Sequence, residues 1–259
     1  MARFILITGK MGSGKSAVSR LLREKKYTVI DCDSEVKKFY TKEHIKNIAR
    51  AQFGDNVLKN DEINFDYLKS VFFEPKYREQ WKILGSALVS TFVMNTFFKD
   101  EFKTEPIIFI EAACTESLHE LINALNIKTI INVSVNEEIR HKRLIMRGMT
   151  ETDIDKRSKL QKFPKLSKEH IVYNLENNGT LGDLSIALIE LLADNEILSE
   201  SEKYEVFKRY LDKSPGYCKN NTWCYAFYNS LGCGDCPFPC TRRQKSFIET
   251  KMNWLNQHG

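Results

Sequence analysis

The strongest constraint on this chain is the run Gly9-Lys10-Met11-Gly12-Ser13-Gly14-Lys15-Ser16, which fits the pattern G-x-x-x-x-G-K-[ST]. The apolar run Phe4 to Thr8 before it reads as a buried strand. Residues 15–26 after it read as a helix with Val18, Leu21 and Leu22 on one side. Glycines let the backbone wrap an anion without Cβ clashes. Successive N–H groups and the helix N-terminus then point at phosphate oxygens. Gly9, Met11, Gly12, Ser13, Gly14, Lys15, Ser16 and Ala17 are the expected phosphate cradle. Lys15 is expected to reach the β- and γ-phosphates, and the Ser16 hydroxyl to ligate Mg²⁺. The four fixed positions coincide by chance in roughly 1% of chains this long, so the strand–loop–helix context carries the assignment to a nucleoside triphosphate.

The rest of the chain fits such a loop. A second strand is expected over Thr28 to Asp31, a third over Pro106 to Ala112, a fourth over Thr129 to Val135 and a shorter fifth over His170 to Leu175. Residues 34–103 lack a convincing strand and read as several helices, the last from about Arg78 to Phe102. Further helices are expected at 137–147, 151–162 and 183–192. Strands separated by helices imply an α/β domain with a parallel five-stranded sheet between helical layers. Trp81, Phe92, Phe97 and Phe98 read as helix core. Cys32 and Cys114 read as packing residues, and His141 and His170 show no metal partners.

In open parallel sheets, ligands bind beyond the carboxyl ends of the strands. Asp31 and Asp33 stand there at the end of the second strand, suited to accept a proton, hold a Mg²⁺-bound water or cap the next helix. Arg140, Arg143 and Arg147 recur at helical spacing after the fourth strand. Arginines placed there are suited to close over a phosphoryl group, and the place after the fourth strand favours that role for Arg143 and Arg147.

These residues together resemble the dephospho-CoA kinase family of P-loop kinases, from about residue 3 to residue 190. The resemblance rests on Ile7 through Ser16 and on Val29 to Asp33, where the family has an Asp-Ala-Asp strand end. Phe53-Gly54, the Leu68 to Phe72 helix, Glu116, Arg143-Leu144, Arg147, Arg157 and Gln161 also match. So does Asn177-Asn178-Gly179-Thr180, a turn that in the family lies by the adenine of ATP. The resemblance implies a three-layer P-loop kinase fold and MgATP-dependent phosphorylation of the ribose 3′-hydroxyl of dephospho-CoA. It further implies Lys15, Asp33 and Arg147 as the catalytic residues, and Arg143, Asn177 and Gly179 as additional ATP contacts. A helical acceptor region spans 34–103 and a lid 137–168. Departures fall on the acceptor side: Gly85-Ser86 replaces a His-Pro, Ile63-Asn64-Phe65 replaces Leu-Asp-Arg, and Ala112 to Thr115 replace proline and aliphatics. Two further readings stay open: a (deoxy)nucleoside monophosphate kinase, and an ATP-dependent nucleic-acid- or partner-binding factor.

The last 59 residues differ from the rest. They hold nine Lys/Arg against five Asp/Glu and five of the seven cysteines, so most of the formal net charge of +5 lies there. The first 200 residues are nearly neutral. A kinase domain over 1–196 and a cysteine-rich module over 204–259 are therefore expected. Cys224, Cys233, Cys236 and Cys240, with Cys218 as a substitute, suit a structural Zn²⁺, and an iron–sulfur cluster uses the same ligand number. A metal staple would supply stability that so short a segment lacks. Arg242, Arg243, Lys245 and the neighbouring aromatics supply ingredients for nucleic-acid contact. Four thiolates on zinc would reduce that charge, and protein docking is equally open. The longest charge-free run in the middle of the chain, Ile83 to Phe98, is sixteen residues, short of the ~20 a spanning helix needs. The apolar run at the start is too short for a signal peptide. The expected address is cytoplasmic, with no membrane contact and a small-molecule acceptor.

Overall fold

Strand β1 (Arg3–Thr8) is central in a five-stranded sheet of order β2-β5-β1-β6-β7. The computed structural model describes residues 2–97, 102, 105–115, 117–161, 163–193 and 197. In chain order, β1 leads through the glycine-rich loop into α1 (Lys15–Glu24), β2 (Thr28–Asp31), α2 (Cys32–Phe39) and α3 (Glu43–Phe53). A short hairpin, β3 (Leu58–Lys59) and β4 (Glu62–Ile63), precedes α4 (Phe65–Val71) and α5 (Arg78–Phe97). Next come β5 (Ile107–Glu111), α6 (Leu118–Ala124), β6 (Thr129–Ser134), α7 (Glu137–Met146) and α8 (Glu151–Leu160). The last elements are β7 (Ile171–Glu176) and α9 (Leu181–Ala193). All pairings in the large sheet are parallel.

Burial on both faces explains why the central strands read as unbroken apolar runs. Phe4, Leu6, Ile30, Ile108, Ile110 and Ile130 belong to one core cluster with Phe39, Ile45, Phe53, Leu84, Leu88 and Phe92 of the helical region. Ile5, Ile7, Phe109, Ile131 and Val133 alternate with them and are buried too. Phe92 is 1% exposed, and deleting such a ring costs about 3–5 kcal/mol. The helix core expected at Phe92 and Trp81 is present; the side chains of Phe97 and Phe98 lie outside the described residues.

The expectation that 34–103 holds no strand is corrected by the hairpin, where Leu58 pairs with Ile63 and Lys59 with Glu62. Two-residue strands are too short to display a period. Asn60 and Asp61 make the turn at positive φ, which Asn and Asp tolerate better than other side-chain-bearing residues. Lys46 reaches across to Asp61 and holds the hairpin to α3.

The described residues divide into two compact units, one within 2–19 and 28–178, the other within 20–27 and 179–197. The sheet and its loops belong to the first. In the second, α9 opens with a reciprocal cap: Thr180 N–H donates to Asp183 Oδ2 at 2.8 Å and Asp183 N–H to Thr180 Oγ1 at 3.2 Å. The Thr180 hydroxyl, donating to Asp183 Oδ2 at 2.7 Å, and the Thr180 N–H hold the Asp183 carboxyl below its ordinary pKa. Leu184, Leu188 and Leu192 then recur every fourth residue as its buried stripe. Among the described residues, no helix is long and apolar enough to cross a membrane.

Candidate active site

The parallel register sets the site. Ile7 lies opposite Glu111, Glu111 opposite Asp31, and Thr8 opposite Asn132. The carboxyl ends of β1, β2, β5 and β6 therefore meet on one edge, where the chain leaves β1 into the glycine-rich loop.

That loop needs its glycines. Gly9 has φ +150°, and a Cβ there would sit 2.2 Å from the Val133 carbonyl oxygen. Gly14 has φ +101°, and its Cβ would overlap the Asn177 side-chain amide. That amide donates to Ser13 O at 2.7 Å and fixes the loop from the residue just after β7. The loop closes with Ser13 N–H donating to Lys10 O and Ala17 N–H to Gly14 O. The Ser13 hydroxyl is buried and has no hydrogen-bond partner among the described residues. The same holds for Nη1 of Arg143, whose Nη2 donates to Asn177 O at 3.0 Å. Two buried donors without partners, beside a cradle that side chains would fill, fit an anionic ligand with many acceptor oxygens.

Lys15 Nζ donates to Gly9 O at 2.9 Å and to Lys10 O at 3.2 Å, so its ammonium folds back over the loop. Burial holds its pKa below the ordinary value, against the pull of Glu111, Cys114 and Asp33; the Arg147 charge adds to the lowering. The Ser16 hydroxyl donates to Glu111 Oε1 at 2.8 Å. A hydroxyl and a carboxylate side by side are hard oxygen donors, and Mg²⁺ takes one or two such protein ligands while keeping waters and phosphate oxygens. The pair fits that ion.

Asp31 and Asp33 divide the roles open to them. Asp31 caps α2, its carboxylate accepting from Ser34 N–H at 3.1 Å and from the Ser34 hydroxyl at 2.7 Å. Asp33 lies in the first turn of α2. Burial raises its pKa above the ordinary aspartate value, helped by Asp31 and Glu111 and opposed by Lys15 and Lys37.

A family model for dephospho-CoA kinase matches residues 3–183. The chain belongs to the dephospho-CoA kinase family. It is a P-loop kinase, and two dephospho-CoA kinases illustrate the likeness. One, from Fusobacterium nucleatum, is 29% identical over 69% of this chain and 91% of its own length. Another, from Aquifex aeolicus, is 29% identical over 68% of this chain and 88% of its own. The crystal structure of TT1252 from Thermus thermophilus shares the fold at TM-score 0.57 and 24% identity, covering 74% of this chain and 97% of that one.

Within this kinase, the structure places Lys15, Ser16, Asp33 and Glu111 at one edge of the sheet, with Arg147 near enough for its charge to act on Lys15. Arg147 is the exposed C-cap of α7. Arg140 is 6% exposed and bonded to Glu137, Met11 O and the Ser158 hydroxyl. Met11 N–H donates to Gln161 Oε1. Gly179 belongs to the second unit, where a Cβ would meet Asp183. Cys32 and Cys114 are buried free thiols, as packing residues should be. Cys114 contacts the Thr8 hydroxyl at 3.3 Å, and burial pushes the Cys32 thiol up to about 12. His141 pairs with Glu151, and His170 with Ser167.

Glu111 was not singled out by the sequence reading. Its signal is an acid ending an otherwise apolar strand beside the phosphate-loop strand. Glu116 and Cys218, Cys224, Cys233, Cys236 and Cys240 lie outside the described residues. Among the described residues no group of three or more His, Cys, Asp or Glu could hold a metal.

Proposed function

We propose that this kinase moves the terminal phosphoryl group of ATP to the ribose 3′-hydroxyl of dephospho-CoA. The observation that carries the reading is the place of Asp33 in the first turn of α2, within electrostatic reach of Lys15 and Glu111 at the mouth of a loop built for phosphates. A ribose hydroxyl is a poor nucleophile and needs a base within reach. Asp33 takes the hydroxyl proton, and its raised pKa makes it a stronger base than an ordinary aspartate. Asp31, Asp33 and Glu111 together disfavour an acceptor whose attacking oxygen is itself anionic, such as the phosphate of a nucleoside monophosphate.

Lys15 turns from the Gly9 and Lys10 carbonyls to the β- and γ-phosphate oxygens. Ser16 holds Mg²⁺, with Glu111 beside it. When bound, that ion would neutralise negative charge developing on the phosphate oxygens. Arg147 steadies the transferring group, and Arg143 directs its free Nη1 at the nucleotide. Gly9, Met11, Gly12, Ser13, Gly14 and Ala17 shape the cradle. Asn177 and Gly179 border the adenine.

The reading extends to organisation. The kinase domain spans 1–196, with its acceptor region in 34–103 and its lid in 137–168. Residues 204–259 form a separate module in which Cys224, Cys233, Cys236 and Cys240 hold Zn²⁺, Cys218 being the substitute ligand. The support is the number and spacing of thiols in a cytoplasmic protein, where clustered cysteines bind metals rather than pair.

An acceptor panel tests the chemistry. ADP release should be stimulated by dephospho-CoA; stimulation by nucleoside monophosphates alone, or by nucleic acid alone, would sink the reading. For the tail, metal analysis after reducing, chelator-free purification should find zinc that falls in the Cys233→Ser and Cys236→Ser variants. A metal-free protein would overturn the staple.

A further inference from the structure

The crown of the phosphate loop is held from far away in sequence. Within the loop, the bond from Ser13 N–H to Lys10 O ties its two sides together. The peptide groups on both sides of Met11 are held instead by α7 and α8. Gln161 Oε1 accepts from Met11 N–H at 2.7 Å across 150 positions of sequence. Arg140 Nη1 donates to Met11 O at 3.4 Å, and its Nη2 to the Ser158 hydroxyl of α8 at 3.2 Å. Lys10 pairs with Glu137 at 2.9 Å. Leu144 and Arg140 pack so near Gly12 that a Cβ there would lie 3.0–3.1 Å from them.

We propose that Gln161 is a positioning residue that holds the crown of the phosphate loop in its nucleotide-ready shape before nucleotide arrives. The proposal rests on the reading of this loop as the ATP site. Gln161 leaves the helix at the C-cap of α8, with φ −87° and ψ 100°. That turn sends its side chain to Met11 rather than along the helix. Arg140, fixed by Glu137, braces the Met11 carbonyl from α7. Loop residues fixed in advance lose less freedom when the ligand binds, so the strut acts on nucleotide affinity. Gln161 acts through the Met11 backbone and needs no contact with the transferring group.

The test uses the full-length protein with two readouts. The first is exchange of the Met11 amide hydrogen, followed by NMR without nucleotide. Gln161→Leu removes the acceptor and should speed exchange at Met11. Gln161→Glu keeps an acceptor oxygen and should retain protection. The second is MgADP binding by calorimetry. A lost bond of this type should weaken binding of Gln161→Leu about three- to ten-fold, with the melting temperature and the acceptor KM unchanged. Unchanged Met11 exchange or unchanged MgADP affinity in Gln161→Leu would overturn the proposal. So would tighter binding, which would make Gln161 a competitor for the loop. A matching rise in acceptor KM with a fall in melting temperature would mean a general structural role and also overturn it. Met11 exchange and MgADP binding need no acceptor; only the KM control does, so failure of the dephospho-CoA assay would leave exchange, affinity and melting temperature to decide.

Discussion

The two halves of the site are built differently. On the nucleotide side, contacts are directional and drawn from distant parts of the chain: Asn177 to Ser13 O, Arg143 to Asn177 O, Gln161 to Met11 N–H, Ser16 to Glu111. On the acceptor side, the helical region is held by ring packing. Phe53 lies edge-on to Trp81 at 5.0 Å, Trp81 to Phe72 at 5.0 Å, and Phe72 to Phe73 at 5.1 Å. Ion pairs there, such as Lys82 with Glu79 and Lys69 with Asp66, are exposed and contribute little. Hydrogen bonds fix atoms in place, whereas packing fixes volume and tolerates exchange of residues of similar size. A triphosphate is the same in every kinase of this type, so its site permits few solutions. An acceptor pocket permits many, and the departures from the family pattern lie there.

The contrast can be broken in four ways. The largest effect is expected from Lys15→Ala, which removes the loop's cation and should lower kcat by at least about 100- to 1000-fold, measured as ADP release with dephospho-CoA; retained turnover would dissolve the nucleotide half as described. Asp33→Asn keeps the shape and removes the base, so kcat should fall about 100- to 10,000-fold with MgADP affinity intact in a binding titration. A comparable loss of affinity would move Asp33 from the acceptor half to the nucleotide half. Phe53→Ala excavates the ring cluster and should cost about 3–5 kcal/mol of stability, seen by denaturant melts, while MgADP binding to the folded protein is unchanged; coupled loss would show the halves are one unit.

The smallest effect concerns pH. Asp33 must be unprotonated to accept a proton, and burial, Asp31 and Glu111 raise its pKa above the ordinary 3.8. Activity is therefore lost as pH falls through that raised value, and the acid limb of kcat/KM lies above 3.8. Asp31→Asn removes one of the raising anions and should move the limb to lower pH, while Asn still caps α2. A limb that stays in place would mean another group sets it.

Legibility follows the same division. The phosphate loop, its flanking strand and helix, and the acids after β2 were readable because spacing and residue type carry their chemistry locally. Strands β1, β5 and β6 were readable because burial leaves apolar runs; the edge strands β2 and β7 are less buried and were readable from their short β-branched and aromatic stretches between helices. The hairpin at 58–63 was missed because two residues show no alternation, and α6 because seven residues span barely two turns. Glu111 was missed because an acid at a strand end has meaning only once its neighbours in the sheet are known. The partners of Arg140 were unreadable for a similar reason. Helical spacing tells which arginines share a face, but not which guanidinium finds Glu137 and Met11 before it finds solvent.

The sequence by itself determined that this chain carries a phosphate loop between a strand and a helix, within an α/β domain of the kinase type. A glycine at φ +101° and a lysine after it are written into one short stretch. Tertiary structure alone decided which strand lies beside which. That order, β2-β5-β1-β6-β7, sets Glu111 against Ser16 and brings Gln161 to the loop from 150 residues away. The physical reason is that backbone preference and apolar period act within a few residues, whereas the partner of a carboxylate or an amide is chosen by the packing of the whole sheet.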